Sequence, residues 1–532
     1  MAMIADVGVF AGAAYNLDAP CGAVSSDSTV GSSYSLLLRK WLWDCDQNHT
    51  KCKRPQRRGD FWPKRIIFVG DPNKLTLIEN RLPGEDYLVL SHCWGRPTEE
   101  EKKRFCTTRQ NYQDRLQGFS YDKLPRTFQD AVRVTRQLGK KYLWIDALCI
   151  IQGPDGDWKT EARTMEDIFA CAYCTIAASS AGGWGDGFLR PDLDSQYIRM
   201  QGIASTPTCA CDFGKDVDEG TLMKRAWVLQ ERVLSRRIIH FAATHTYWEC
   251  GDGVRCEQFI KLEPPLGKQY FILDPNFPYR LSQSGYQRTV HFVRFLFRKY
   301  STSGLTFESD RDVAIYSLVE RMRHSLRSEV RYGIVRCFLS PLLLWKRTNE
   351  DKTAMINYGD RTVPSWSWMA YPGGIDFISD TQKRLMVPPS AYLDFTDDED
   401  TLTVQVRRFK DCRIASRNAR TAFAWTRKVG FSWFDLADRI GQDGKQYAIF
   451  ASNVFAWTRK VGSLWFDVAD RIEFKQCVVV GMGDDDGRKD PQKTYYFILV
   501  REKQDGEGYE RLGVGKVEGR YVSRECDAAK LW

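Results

Sequence analysis

This 532-residue chain contains no uninterrupted apolar run near the ~18 residues that a bilayer-spanning helix needs, so no membrane span is expected. Its first 24 residues carry Asp6 and Asp18 but no Lys or Arg, and so lack the charged start of a signal peptide. Excess charge is scarce as well. The 77 Lys and Arg against 68 Asp and Glu leave a formal +9, mild for this length. The basic cluster from Lys51 to Arg58 is short and sits in no nucleic-acid-binding signature. It reads as solvated surface, and no nucleic-acid partner is expected. Familiar catalytic motifs are missing too. No glycine-rich loop ends in Gly-Lys-Ser/Thr, which argues against nucleoside triphosphate binding. No His-Glu-x-x-His pair offers a zinc protease site, and no Ser-His-Asp spacing stands out. No WD40, ankyrin or nucleotide-binding sensor is recognisable.

What is present is material for packed cores. Hydrophobic residues make up 43% of the chain and aromatic residues 13%, with 17 Trp, too apolar for a disordered chain. The length suggests about two to four domains. The 16 Cys are scattered, several within apolar stretches (Cys149, Cys171, Cys174). This fits reduced, buried thiols in the cytoplasm better than a disulfide scaffold.

Residues 1–34 read as a loose leader. Residues 35–85 read as a lead-in segment packing on the core, with a helix around Leu36–Cys45 and a strand at Arg65–Val69. A core over 86–255 follows. Leu88–His92 is a buried strand. A helix from Leu124 to Leu138 repeats Phe128, Ala131, Val134 and Leu138 at helical spacing. Tyr142–Ile151 is the next strand, and Trp158–Tyr173 an amphipathic helix with Trp158, Ala162, Met165, Phe169 and Ala172 on one face. Strands Cys174–Ala178, Arg237–Phe241 and Thr246–Cys250 complete the set. Alternating strands and helices predict an α/β core, a parallel-type sheet flanked by helices. Residues 256–360 read as a helical middle region and 361–532 as a β-rich C-terminal region. There the segment 423–440 recurs as 455–472, identical at 15 of 18 positions. Two copies are too few for a solenoid. The expectation is that one copy packs and the other is an insertion.

Three segments could carry chemistry. In Ser91-His-Cys-Trp-Gly95 a buried strand ends in polar and aromatic groups. Trp94 could stack on a flat ligand or cap the core, Ser91 could bind ligand or backbone, and Gly95 permits an unusual turn. His92 and Cys93 are adjacent and point to opposite faces, so they form no nucleophile pair. Asp146, within an apolar strand, needs a partner such as Arg225 or backbone amides. It would either form that structural pair or orient a ligand. Gln152 stands at the expected strand end, where ligands approach such sheets. Arg225-Ala-Trp-Val-Leu-Gln-Glu231 reads as a helix start that puts Trp227 and Glu231 on one face. The aromatic would stack a base and help to raise the carboxyl pKa. Alternatively, Glu231 pairs with Arg225, Arg232 or Arg236.

Four segments, Tyr87–Gly95, Leu143–Gln152, Trp158–Ser179 and Arg225–Ser235, resemble in order and wording the HET (heterokaryon incompatibility) domain of filamentous fungi. The resemblance covers about residues 41–250. It implies a cytoplasmic effector of non-self recognition and regulated cell death, working through self-association or a protein partner. It also implies a TIR-like or flavodoxin-like core. Several TIR domains cleave NAD with a glutamate in a helix similar to Trp227–Glu231, and their first strand resembles Leu88–Trp94. By that analogy Glu231 is a catalytic carboxylate and NAD a substrate, with Ser91, Trp94, Gly95, Asp146, Gln152 and Trp227 around it. A non-catalytic interaction module is the alternative. No resident cofactor is expected. Cys45, His49 and Cys52, in a stretch similar to one in HET-family proteins, have metal-permissive spacing. A fourth ligand is missing nearby in sequence, and no metal is assigned.

Overall fold

The computed structural model describes residues 33–53, 61–79, 84–190, 211–258, 261–262, 268–348, 354–359, 361–378, 385, 392–410, 412–415, 447–452, 458–467, 476–483 and 493–532. An eight-stranded sheet organises the first half: β1 (Ile66–Phe68), β2 (Thr76–Ile78), β3 (Tyr87–Ser91), β4 (Tyr142–Trp144), β5 (Cys174–Ala177), β6 (Arg237–Phe241), β7 (Thr246–Cys250) and β8 (Gly253–Cys256). Its spatial order is β2-β1-β4-β3-β5-β6-β7-β8. The four central strands are parallel. The outer pairs run antiparallel, so the sheet is mixed rather than uniformly parallel. All residues of β3, β4, β5 and β6 are buried, as expected of parallel strands covered on both faces.

Helix α1 (Ser33–Asn48) precedes the sheet. Helix α2 (Arg126–Gln137) follows Pro125 and buries Phe128, Ala131, Val132 and Val134. Gly139, at φ +72, closes it with a bond to Arg136 O. The expected strand Tyr142–Ile151 is corrected. The strand ends at Trp144, and Asp146–Cys149 forms one helical turn, α3, that buries Ala147, Leu148 and Cys149. An apolar run buried on every side does not distinguish strand from helix by periodicity. Helix α4 (Trp158–Cys171) buries Ala162, Met165, Ile168 and Phe169, and α5 (Ala226–Leu234) leads into β6.

The parallel strands appear in the chain as β3, β4, β5, β6 and lie in the sheet as second, first, third, fourth. Connections leaving β3 and β4 therefore diverge to opposite sides. Open α/β sheets place ligands at the strand C-termini where the order reverses in this way. Ser91 is at that end of β3.

The middle region contains helices α6 (Tyr286–Ser301) and α7 (Val313–Leu326), and α7 packs on α4 and α5. Beyond it, strands including Leu402–Phe409, Gln476–Met482, Thr494–Glu502, Tyr509–Glu518 and Val522–Leu531 build a nine-stranded sheet. The buried Arg511 binds Asp467 at 2.7 Å and donates to Leu343 O and Trp345 O, fastening this sheet to the middle region. Trp366 and Trp368 are fully buried. Of the duplicated segment, 423–440 lies outside the described residues, whereas Thr458–Phe466 in the second copy is a strand. The expected leader lies outside the described residues up to position 32. Among the described cysteines ten are buried free thiols, as expected, whereas Cys211 is disulfide-bonded. No helix of the described residues is long and apolar enough to cross a membrane.

Candidate functional site

Ser91 ends β3 and its hydroxyl donates to the Glu231 carboxylate on α5. Part of Glu231 reaches solvent, but its carboxyl is closely surrounded. Burial raises its pKa to about 7, against the Ser91 bond and the Arg225 charge, with Asp146 repulsion adding to the rise. The expected alternative, an ion pair to Glu231, is not formed. Arg225 donates to His92 O at 2.6 Å. Arg232 binds Glu249 and Asp218, and Arg236 binds the carbonyls of Cys52, Ala170 and Ala172.

Asp146 opens α3 rather than sitting within a strand. Its carboxylate accepts the Trp94 indole N–H at 2.8 Å and the Ala147 backbone N–H at 2.6 Å. Of the two partners expected, Asp146 takes the backbone amide and not Arg225, with the Trp94 indole added. Trp94 also stacks on Trp184 at 5.7 Å between ring centroids and 26° between planes. His92 is buried, and its Nε2 lies 3.8 Å from Asp146, beyond a hydrogen bond. Burial lowers the His92 pKa to about 4, outweighing Asp146, so the ring is neutral at pH 7.

Gly95 has φ +74, and a Cβ there would meet Gly183 Cα at 3.1 Å. It lets the β3 exit press against the turn Gly182–Gly187. Asp186 latches that turn by accepting from Gly182 N at 2.8 Å and Gly183 N at 2.9 Å. Trp227 is half-buried and meets Trp158 edge-on at 5.5 Å. Gln152 is engaged locally, donating to Asp146 O and Ile150 O at 3.3 Å each.

Ser91, Trp94, Asp146 and Glu231 thus meet at the C-terminal end of the first parallel strand, with Arg225 beside them. Trp227 shares a helix with Glu231, Gly95 shapes the wall, and Gln152 holds α3. Trp184 was not among the expected site residues. Its signal was its place as the one aromatic in the glycine-rich turn. A small cleft elsewhere, lined by Arg232, Ser235, Glu249 and Cys250 among others, contains none of these residues.

These features define an α/β domain with a carboxyl-centred site at its strand ends. The family model described as Heterokaryon incompatibility protein (HET) matches residues 87–231, from the first residue of β3 to Glu231. Over that stretch the chain carries a heterokaryon incompatibility (HET) domain. Comparison with curated proteins and with solved structures finds no match.

Proposed function

We propose that this HET-domain protein is an effector of fungal heterokaryon incompatibility, and that its domain kills by hydrolysing NAD with Glu231 as the catalytic carboxylate. The first half rests on the family match over 87–231. The second rests on one observation, a glutamate with its pKa near 7 hydrogen-bonded to the serine that ends the first parallel strand. Cleaving the ribosyl–nicotinamide bond builds positive charge on the ribose as the base leaves. A carboxylate in a partly dry site stabilises that charge strongly. Water then adds to the ribosyl carbon, giving ADP-ribose, nicotinamide and a proton. Asp146 supplies a second carboxyl group near the first, matching the usual need for two in glycoside cleavage. Trp227 and Trp158 offer ring faces and edges for a base. The analogy with TIR domains, whose glutamate lies in a similar helix, supports the same chemistry.

The test is induced expression of the wild type and of Glu231→Gln in a fungal host, reading cellular NAD and viability. NAD loss and death with wild type alone support the reading. Death without NAD loss rejects the enzymatic half and makes the domain an interaction module.

A further inference from the structure

We propose that Cys45, His49, Cys52 and Cys250 form a closed zinc site that clasps the two ends of the HET domain. The first three lie at the end of α1 and just after it, and Cys250 ends β7. His49 and Cys250 are 201 positions apart in sequence. One ligand atom from each of the four residues lies within 4.8 Å of the other three. The three cysteines are buried. His49 Nδ1 is 3.5 Å from Cys250 Sγ. Tetrahedral zinc with Zn–S near 2.3 Å and Zn–N near 2.0–2.1 Å sets S···N edges of about 3.6 Å and S···S edges of about 3.8 Å. The one edge is already at that length, and the others close by about 1 Å at most. Zinc suits this donor set, and four protein ligands leave no position for water, so the site is structural.

The surroundings fit a metal held through thiolates. His49 Nε2 faces Asp252 Oδ2 at 3.4 Å, a carboxylate that fixes the ring with Nδ1 toward the sulfurs. The backbone N–H of Asp252 points at Cys250 Sγ at 3.5 Å. A Cβ at Gly251 would meet Pro275 at 2.8 Å and Cys52 Sγ at 3.1 Å, so glycine permits the close approach. Three thiolates and a neutral imidazole around Zn²⁺ leave one negative charge. The buried Arg237, paired with Asp46 at 2.6 Å, lies close enough that its charge also acts on Cys45 and Cys52. The family match at 87–231 falls between the outer ligands in sequence. The metal therefore joins the helix before the domain to the hairpin after it.

The full chain, purified without chelator from zinc-replete cells, is assayed for metal by mass spectrometry. One zinc per chain is expected, with Cys45, Cys52 and Cys250 resisting alkylation until a chelator removes it. Cobalt exchange is expected to give thiolate-to-metal charge-transfer absorption. Cys250→Ser is expected to lower zinc occupancy at least 10-fold, whereas Cys337→Ser, at an exposed thiol, leaves it unchanged. Metal-free wild type, or a disulfide between any two of the three cysteines in the same preparation, overturns the proposal. Because both readings come from wild type, they stand even where Cys250→Ser fails to fold.

Discussion

Glu231→Gln separates the electrostatic claim about the site from the catalytic one. The carboxyl titrates at about 7 in the folded chain against an ordinary value of 4.5. Between those values the folded state holds a proton that the unfolded state has released. Stability therefore falls as pH rises through the window and levels off above it. At 1.36 kcal/mol per unit a shift of that size is worth about 3–4 kcal/mol, or about 2–3 kcal/mol after allowing for the part of the residue that meets solvent. Gln keeps the shape, accepts the Ser91 hydroxyl and never ionises. The variant should match wild type near pH 5 and exceed it by about 2–3 kcal/mol at pH 8 and above. At roughly 2–4 °C per kcal/mol for a unit of 150–250 residues, that is on the order of 4–12 °C in melting temperature. Calorimetry of both proteins from pH 5 to 9 measures the difference, in which titrations of all other groups largely cancel. A difference that stays flat with pH would refute the buried-carboxyl reading. In parallel, NAD hydrolysis by wild type should rise through pH 7 as the carboxylate forms, and be lost in the variant.

Further consequences can be checked separately. Asp146→Asn removes the repulsion that adds to the Glu231 shift, so the midpoint of the same pH-dependent difference should move down; an unmoved midpoint contradicts their proximity. Gly95→Ala forces a side chain onto a positive φ and against Gly183, and should cost about 1–3 kcal/mol in denaturant unfolding. Arg511→Met leaves Asp467 buried without its cation and two carbonyls without a donor. It should destabilise by about 3–5 kcal/mol in urea, and a loss below 1 kcal/mol would show that the C-terminal sheet is held by its apolar packing alone.

Much of the fold is legible because its signals are local. Arg237–Phe241 and Thr246–Cys250 are strands with the boundaries their apolar runs suggest. The helix holding Phe128, Ala131 and Val134 follows from spacing and from Pro125 and Gly139. Where burial is complete the local signal fails, and Tyr142–Ile151 divides into a short strand and a helical turn. That division places Asp146 at a helix start, where a backbone amide and an indole satisfy it without a cation. The arginines near Glu231 in sequence are likewise taken by partners elsewhere. Sequence proximity on a helix suggests ion pairs that the tertiary structure spends differently.

What lies outside the reach of local pattern is which strand ends become neighbours. Ser91 and Glu231 are 140 positions apart and His49 and Cys250 are 201 apart. Both encounters follow from strand order in the central sheet. Placing β3 between β4 and β5 puts its exit against α5, with Ser91 at Glu231 and His92 at Arg225. Placing β7 beyond β6 carries Cys250 to the end of α1. Each residue was visible singly, as a polar group closing an apolar run or as a metal-permissive spacing lacking its fourth member. The topology supplies the partner in both cases. The two sites therefore have different sensitivities. Losing the Ser91–Glu231 bond alters the chemistry at the strand ends of an otherwise intact sheet. Losing Cys250 from the cluster releases α1 from the hairpin that follows the domain, an effect read in stability before it is read in activity.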